Sequence, residues 1–527
     1  MTSERTQLAR LYGMFFGRLF ESDMMPPGLP QVQLIVWVCA FLASPSLLWP
    51  ILKAKGYVWL KPAQIGGAMD ADRTTALLFA LLATGLITLV IWEGIFPDKR
   101  DSRILGVLPV RLRSLVVARL ASLGSVYFMF VCATALPGAL SFGIVAAVFG
   151  GARGTAETIA AHLFTTAGAE AVVFFGVMLL QCLVLNTVGA AVAQRLAVVL
   201  QVAMVMALFQ MPMILPLLAS PRIAAYAPMA AVVISGSAIL LYTASYRRLT
   251  RLALEGVGES NARKPPFRGI VPALSRILPL SQPARAIFAF TLRTAARSRQ
   301  HRMILAGWVG LALALILSSV AGGFARMGWG LVKAPNPVVL VVPLVLAVLT
   351  MTGMRMLFAI PTEIRANWTI RTRQPVPVKA AIDGATAALI VCGGLPAILV
   401  AFASAGWLWG AQIGAMHALF CGLLVVLLAE ILSLGLDKVP FTCTYMPGKG
   451  KIVKLWPLYL TVFSFYTGGM ASLETQLFRR GGFSKAIGIF LVLAAVASFF
   501  RRRRASELPD LRFEEQDADA LTTLVSL

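Results

Sequence analysis

Pro337–Phe358 reads PVVLVVPLVLAVLTMTGMRMLF, 22 residues with one charge, Arg355. At about 1.5 Å rise per residue a helix of this length covers about 33 Å, enough to cross ~30 Å of hydrocarbon. A barrel strand would instead alternate polar and apolar residues over ~10 positions. Eleven further runs have the same character: Gln31–Pro50, Thr74–Gly94, Ser122–Phe149, Thr165–Leu185, Leu196–Leu218, Pro228–Tyr246, Met303–Gly322, Ile382–Ala403, Ala411–Leu434, Leu455–Ala471 and Gly481–Phe500. The whole chain is 58% hydrophobic and 13% charged, against about 45–50% and about 25% in soluble domains. These features predict an all-α integral membrane protein of about twelve transmembrane helices.

Basic residues orient the spans, because Lys and Arg accumulate on cytoplasmic flanks. With both termini inside, 35 of the 47 basic residues fall on the inner side and 11 outside, with Arg355 within a span. This bias also accounts for the net charge of +24 without invoking nucleic acid, whose binding would need a clustered basic face and a recognisable module. The polar N-terminus lacks the early apolar core of a cleaved signal peptide, so the first span is expected to serve as an uncleaved signal.

The chain divides into two six-helix repeats. Residues 1–254 form the first membrane half, 255–302 a basic cytoplasmic connector, 303–504 the second half and 505–527 an acidic cytoplasmic tail. Gln7–Glu21 and Gln282–Arg302 mix arginines with aromatic and aliphatic residues at helical spacing, one before span 1 and one before span 7. Each is expected to be an amphipathic helix in the inner interface. Five of the six cysteines fall in apolar segments with no metal-site spacing, the pattern of small buried residues rather than of a disulfide framework.

Catalytic motifs are not recognisable. A phosphate-binding loop needs Gly-x-x-x-x-Gly-Lys-Ser/Thr, and Met446-Pro447-Gly448-Lys449-Gly450-Lys451 has Cys443 at the first glycine and no following hydroxyl. No catalytic triad, zinc motif or paired-carboxylate motif is present, and no cofactor or metal is implied. Ionisable residues at membrane depth are functional candidates, because burying a charge in lipid costs at least ~2.5–3.5 kcal/mol. Those candidates are Glu170, Arg355, His417 and Glu430. Two of them have a structural alternative: pairing within the bundle for Glu170, and packing or hydrogen bonding for His417.

Two charged loops stand at matching places after the second span of each half. Phe96–Arg113 reads FPDKRDSRILGVLPVRLR and Glu363–Lys379 reads EIRANWTIRTRQPVPVK. Both contain a Pro-Val-basic step, Pro109-Val110-Arg111 and Pro377-Val378-Lys379. The first loop, with its acidic-basic cluster followed by Leu-Pro-Val-Arg, resembles the inner loop of type-2 ABC transporter permeases. In that family the loop forms a coupling helix that docks on a separate ATPase subunit, and an amphipathic helix precedes the first span. The second loop repeats the pattern more loosely, without the Phe-Pro-Asp cluster at equal spacing and with Ala387 where Arg119 would align.

The resemblance implies a fused permease, two six-span halves in one chain, serving two separate ABC ATPase subunits in a cell membrane. Asp98, Lys99, Arg100, Asp101, Pro109 and Arg111 would belong to one coupling loop. Glu363, Arg365, Arg371, Pro377 and Lys379 would belong to the other. The substrate is unidentified, and export as the direction follows from the resemblance alone. A major-facilitator-type ion-coupled carrier is the rival: Gly94, Asp98 and Lys99 fit the start of its loop signature, whereas Asp101 and Ser102 depart from it. A non-transporting scaffold or enzyme subunit is a third class consistent with the topology.

Overall fold

The computed structural model describes residues 2–20, 31–96, 105, 108, 110–213, 226–255, 270–362, 377–442, 459–508 and 511. All regular structure among them is helical. Ten helices are long and apolar enough to cross a membrane, and their outward faces carry large apolar side chains such as Trp37, Phe41, Ile144, Val232, Phe402 and Val492. A run of such exposed side chains is what lipid, rather than water, accommodates. The chain is a multi-pass α-helical membrane protein made of two compact units, residues 1–261 and 262–527.

In unit 1, α1 (Thr2–Phe20) precedes α2 (Gln31–Tyr57) and α3 (Pro62–Val90). After a short 3-10 turn at Trp92–Ile95 come α4 (Leu112–Phe149), α5 (Gly154–Gly189), α6 (Leu196–Phe209) and α7 (Ala227–Glu255). Helices α4 and α5 run antiparallel. A Cβ on Gly138 would touch His162, one on Gly143 would touch Ile159, and Thr134 meets Glu170. The core sits where they cross α3 and α7, around Leu123, Val126, Phe130, Phe174, Met178, Ala238 and Tyr242. Helix α1 buries Leu11, Phe15 and Leu19, one side chain per turn, while Arg5 and Arg10 stay exposed.

Unit 2 begins with α8 (Ile270–Ile277) and α9 (Gln282–Arg297), followed by α10 (Arg299–Met327) and α11 (Pro337–Leu357). Then come α12 (Val378–Trp409), α13 (Ala411–Ser433), α14 (459–480) and α15 (Phe483–Glu507). Helix α9 buries Ala284, Ile287, Phe288, Thr291 and Ala295, the periodicity of one helical face. Two π turns interrupt helices here, Ile390–Gly394 in α12 and Phe465–Gly469 in α14. A π turn leaves backbone groups out of step with the α ladder. At the first, Thr350 Oγ1 of α11 donates to Gly393 O at 3.0 Å.

Ten spans stand among the described residues where the sequence predicts twelve. The helix in the predicted fifth span, Leu196–Phe209, is shorter than a membrane crossing, and residues 214–218 of that span lie outside the described residues. For the predicted eleventh, residues 455–458 lie outside the described residues. The helix then runs past the predicted end at Ala471 to Arg480.

The α12–α13 hairpin turns on Gly410, whose φ of +98° is open to glycine but strained for other residues. Beyond the turn, Gly406 and Gly414 let the two backbones touch. A Cβ on Gly414 would stand 2.7 Å from Gly406 Cα and 2.8 Å from Phe402 O. Gly414→Val should therefore force the hairpin apart, at a cost of about 1–3 kcal/mol for overpacking. Size-exclusion profiles of the solubilised protein after graded heating should show it. Gly422→Ala, whose Cβ would meet nothing closer than Ile398 Cδ1 at 3.7 Å, should behave as wild type.

Candidate functional site: loop roots and buried ion clusters

Loop residues Asp98, Lys99, Arg100, Asp101, Pro109, Glu363, Arg365 and Arg371 lie outside the described residues. Arg111, Pro377 and Lys379 are described and exposed. What the structure resolves is how each loop is anchored.

In unit 1 three backbone carbonyls leading into the loop are held by side chains from other helices. Arg119 of α4, only 3% exposed, donates to Gly94 O and to Phe96 O, the latter at 3.0 Å. Its guanidinium also lies over the Phe15 ring of α1, 4.8 Å from the centroid, a cation–π contact. Tyr242 of α7, fully buried, donates its O–H to Ile95 O at 3.0 Å. These carbonyls close the 3-10 turn that follows α3, where no further helical turn supplies partners, and burial makes satisfying them obligatory. Leu105, inside the loop, packs with Leu11 and Phe15 of α1 and Ala118 of α4. Tyr12 of α1 reaches Ser125 of α4 at 3.0 Å.

Unit 2 anchors its loop with different chemistry at the same place in its helix order. His301, at the start of α10 and fully buried, meets Ile360 O through Nε2 at 3.0 Å and Ser298 Oγ through Nδ1 at 2.6 Å. A carbonyl can only accept, so Nε2 carries the hydrogen, and in the neutral imidazole Ser298 then donates to Nδ1. Phe441 clamps the same root through its backbone, N to Phe358 O at 3.0 Å and O from Thr362 N at 3.3 Å. Its φ of +66° is rare for a bulky residue. The ring is held edge-on by His301 and Phe358, contacts that fix the strained conformation. Beyond the loop, α9 crosses the first turns of α12, where a Cβ on Gly384 would lie 2.5 Å from Ala284 O.

The intramembrane candidates separate into three kinds of environment. Arg355 donates from Nε to Leu432 O at 3.0 Å and from Nη2 to Gly435 O at 3.4 Å. It thereby caps the C-terminal end of α13, where the helix dipole is negative. Glu430 of α13 pairs with Arg501 of α15 through Nε, and Nη2 lies 3.4 Å from its second oxygen. Arg501 Nη1 also holds Asp383 of α12 at 2.6 Å. One nearly buried guanidinium thus ties three helices.

His417 of α13 faces Glu474 of α14, with Nδ1 at 2.9 and 3.0 Å from the two carboxylate oxygens and both side chains fully buried. Glu170 of α5 accepts from Thr84 of α3 at 3.0 Å and meets Thr134 of α4 at 2.5 Å.

The sequence reading missed Glu474 and the role of Arg501. Glu474 lies three residues beyond the predicted eleventh span, and Arg501 opens a run of four arginines read as an inner flank. The phase of α15 carried a signal: Phe490, Ala494, Arg501 and Ala505 fall on one buried face, so Arg501 continues the core stripe. Among the described residues no cluster of three or more His, Cys, Asp and Glu could hold a metal. No protein-family model, no curated protein and no solved structure matches this chain.

Proposed function

We propose that the chain is the membrane-spanning permease subunit of an ATP-binding-cassette exporter, two six-span permeases fused, driven by separate ATPase subunits. One observation carries the reading. In each unit the segment leading into a charged loop is fastened by buried groups of neighbouring elements: the Arg119 and Tyr242 side chains in unit 1, the His301 side chain and the Phe441 backbone in unit 2. A loop that receives force from a motor needs a root that does not yield, so that displacement passes to the spans rather than dissipating. Amphipathic helices α1 and α9 brace the helix that leaves each loop, at Ala118 and at Gly384. The excess of basic residues on the loop side favours placing both loops and both termini in the cytoplasm of a cell membrane.

Photo-crosslinking tests this at residues that are exposed. A photoreactive amino acid at Arg111 or Lys379 should capture a nucleotide-hydrolysing protein in cells. The same probe at Trp407, 87% exposed beside the α12–α13 turn, should not. Adducts at neither loop position would defeat the reading.

A further inference from the structure

Glu170 has no exposed surface, and among the described residues no cationic side chain pairs with it. Its hydrogen bonds are lopsided. Thr84 and Thr134 both address Oε1, while Oε2 is buried without a partner. One turn away on α5, Thr166 Oγ1 is also buried without a partner. Tyr127 of α4 lies close by but donates its O–H to Ala167 O at 2.8 Å.

Counting hydrogens decides what the carboxyl is. As a carboxylate, Glu170 would leave a charged oxygen bare in an apolar interior, which is the costly arrangement. With a proton on Oε2 it would leave an orphan donor, costly as well. A proton on Oε1 removes both problems. Oε1 then donates across 2.5 Å to Thr134 Oγ1, and Thr134 uses its own hydrogen on Phe130 O at 2.9 Å. Thr84 Oγ1 still donates to Oε1 at 3.0 Å. Oε2 becomes a neutral carbonyl oxygen, and a neutral acceptor without a partner costs less than a bare charge.

We propose that Glu170 is a proton-binding site in the membrane core of unit 1, held as the neutral acid and donating from Oε1 to Thr134 Oγ1. The protein there stores one exchangeable proton at the crossing of α3, α4 and α5. Unit 2 handles its buried Glu474 differently, giving it the His417 imidazole. The site is independent of the permease reading, since it concerns the state of one side chain.

Infrared spectroscopy of the full-length protein in lipid nanodiscs at neutral pH tests it. Wild type minus Glu170→Gln should show loss of the carbonyl stretch of a neutral carboxylic acid, a band that moves down in deuterated buffer. Thr134→Val, close in shape but without the hydroxyl, should move that band to higher frequency by removing its acceptor. Loss of carboxylate stretches instead would mean an ionised side chain held by a cation, and would overturn the proposal. So would an acid band unmoved by Thr134→Val. Should Glu170→Gln fail to fold, the comparison of wild type with Thr134→Val decides alone.

Discussion

Arg501→Met should destabilise unit 2 by about 3 kcal/mol, the lower end of the ~3–5 kcal/mol lost when one partner of a buried ion pair is removed. Arg501 and Glu430 side chains are 6% and 9% exposed, whereas that of Asp383 is 27% exposed. Water can therefore re-solvate Asp383 after the arginine is lost, and Glu430 carries most of the penalty. Two carboxylates that now share one guanidinium would also repel each other. Thermal unfolding of the solubilised protein should show a clear loss for Arg501→Met. Adding Glu430→Gln should recover part of it, because the stranded charge has gone. Arg501→Lys should fall between, since an ammonium cannot address two carboxylates with a planar fork. The neighbouring Arg503, paired with Glu507 at 3.1 Å and about two-thirds exposed, is the control: its alanine variant should cost no more than ~0.5 kcal/mol.

The second large effect falls on the first charged loop. Reversing Asp98 and Arg100 together (Asp98→Lys with Arg100→Glu) keeps the net charge and should leave the fold intact. Among the described residues the loop root is fixed by Arg119 and Tyr242. On the permease reading the same variant should weaken association with the ATPase at least ~tenfold, about 1.4 kcal/mol. Reversed charges at an interface place like against like and remove the steering that brings partners together. Titrating the purified ATPase onto nanodisc-embedded variants would measure it. Glu363→Lys with Arg365→Glu in the second loop should produce a smaller loss, because that loop departs further from the coupling pattern. Equal losses would mean that the two docking sites are equivalent.

The membrane-spanning helices could be read from the sequence because long apolar runs allow few alternatives, and the helix order of both units follows those runs. The amphipathic helices were legible from periodicity, their apolar positions recurring at helical spacing in Leu11, Phe15 and Leu19 and again in Ala284, Ile287, Phe288 and Ala295, although the second ends at Arg297 rather than Arg302. What the sequence hid was partnership across large separations. Nothing local distinguishes Arg501 from the three arginines after it until the buried face of α15 is phased from Phe490 and Ala494. Glu474 was obscured because the helix continues past the apolar run, and its partner His417 lies 57 positions earlier. Arg355 looked like an intramembrane charge in search of a function and proved to cap α13. The anchoring of the second loop by His301 and Phe441 was out of reach altogether, since it depends on a positive φ at a phenylalanine.

The central claim, that this chain is the permease half of a motor supplied by another protein, is met most directly by native mass spectrometry. The chain would be affinity-purified in mild detergent from cells that express it with its native neighbours. The account predicts a complex containing ATP-hydrolysing subunits, two per chain, with the occupancy of one of them reduced when Asp98 and Arg100 are reversed. A chain that arrives alone, or with partners that bind no nucleotide, would contradict it.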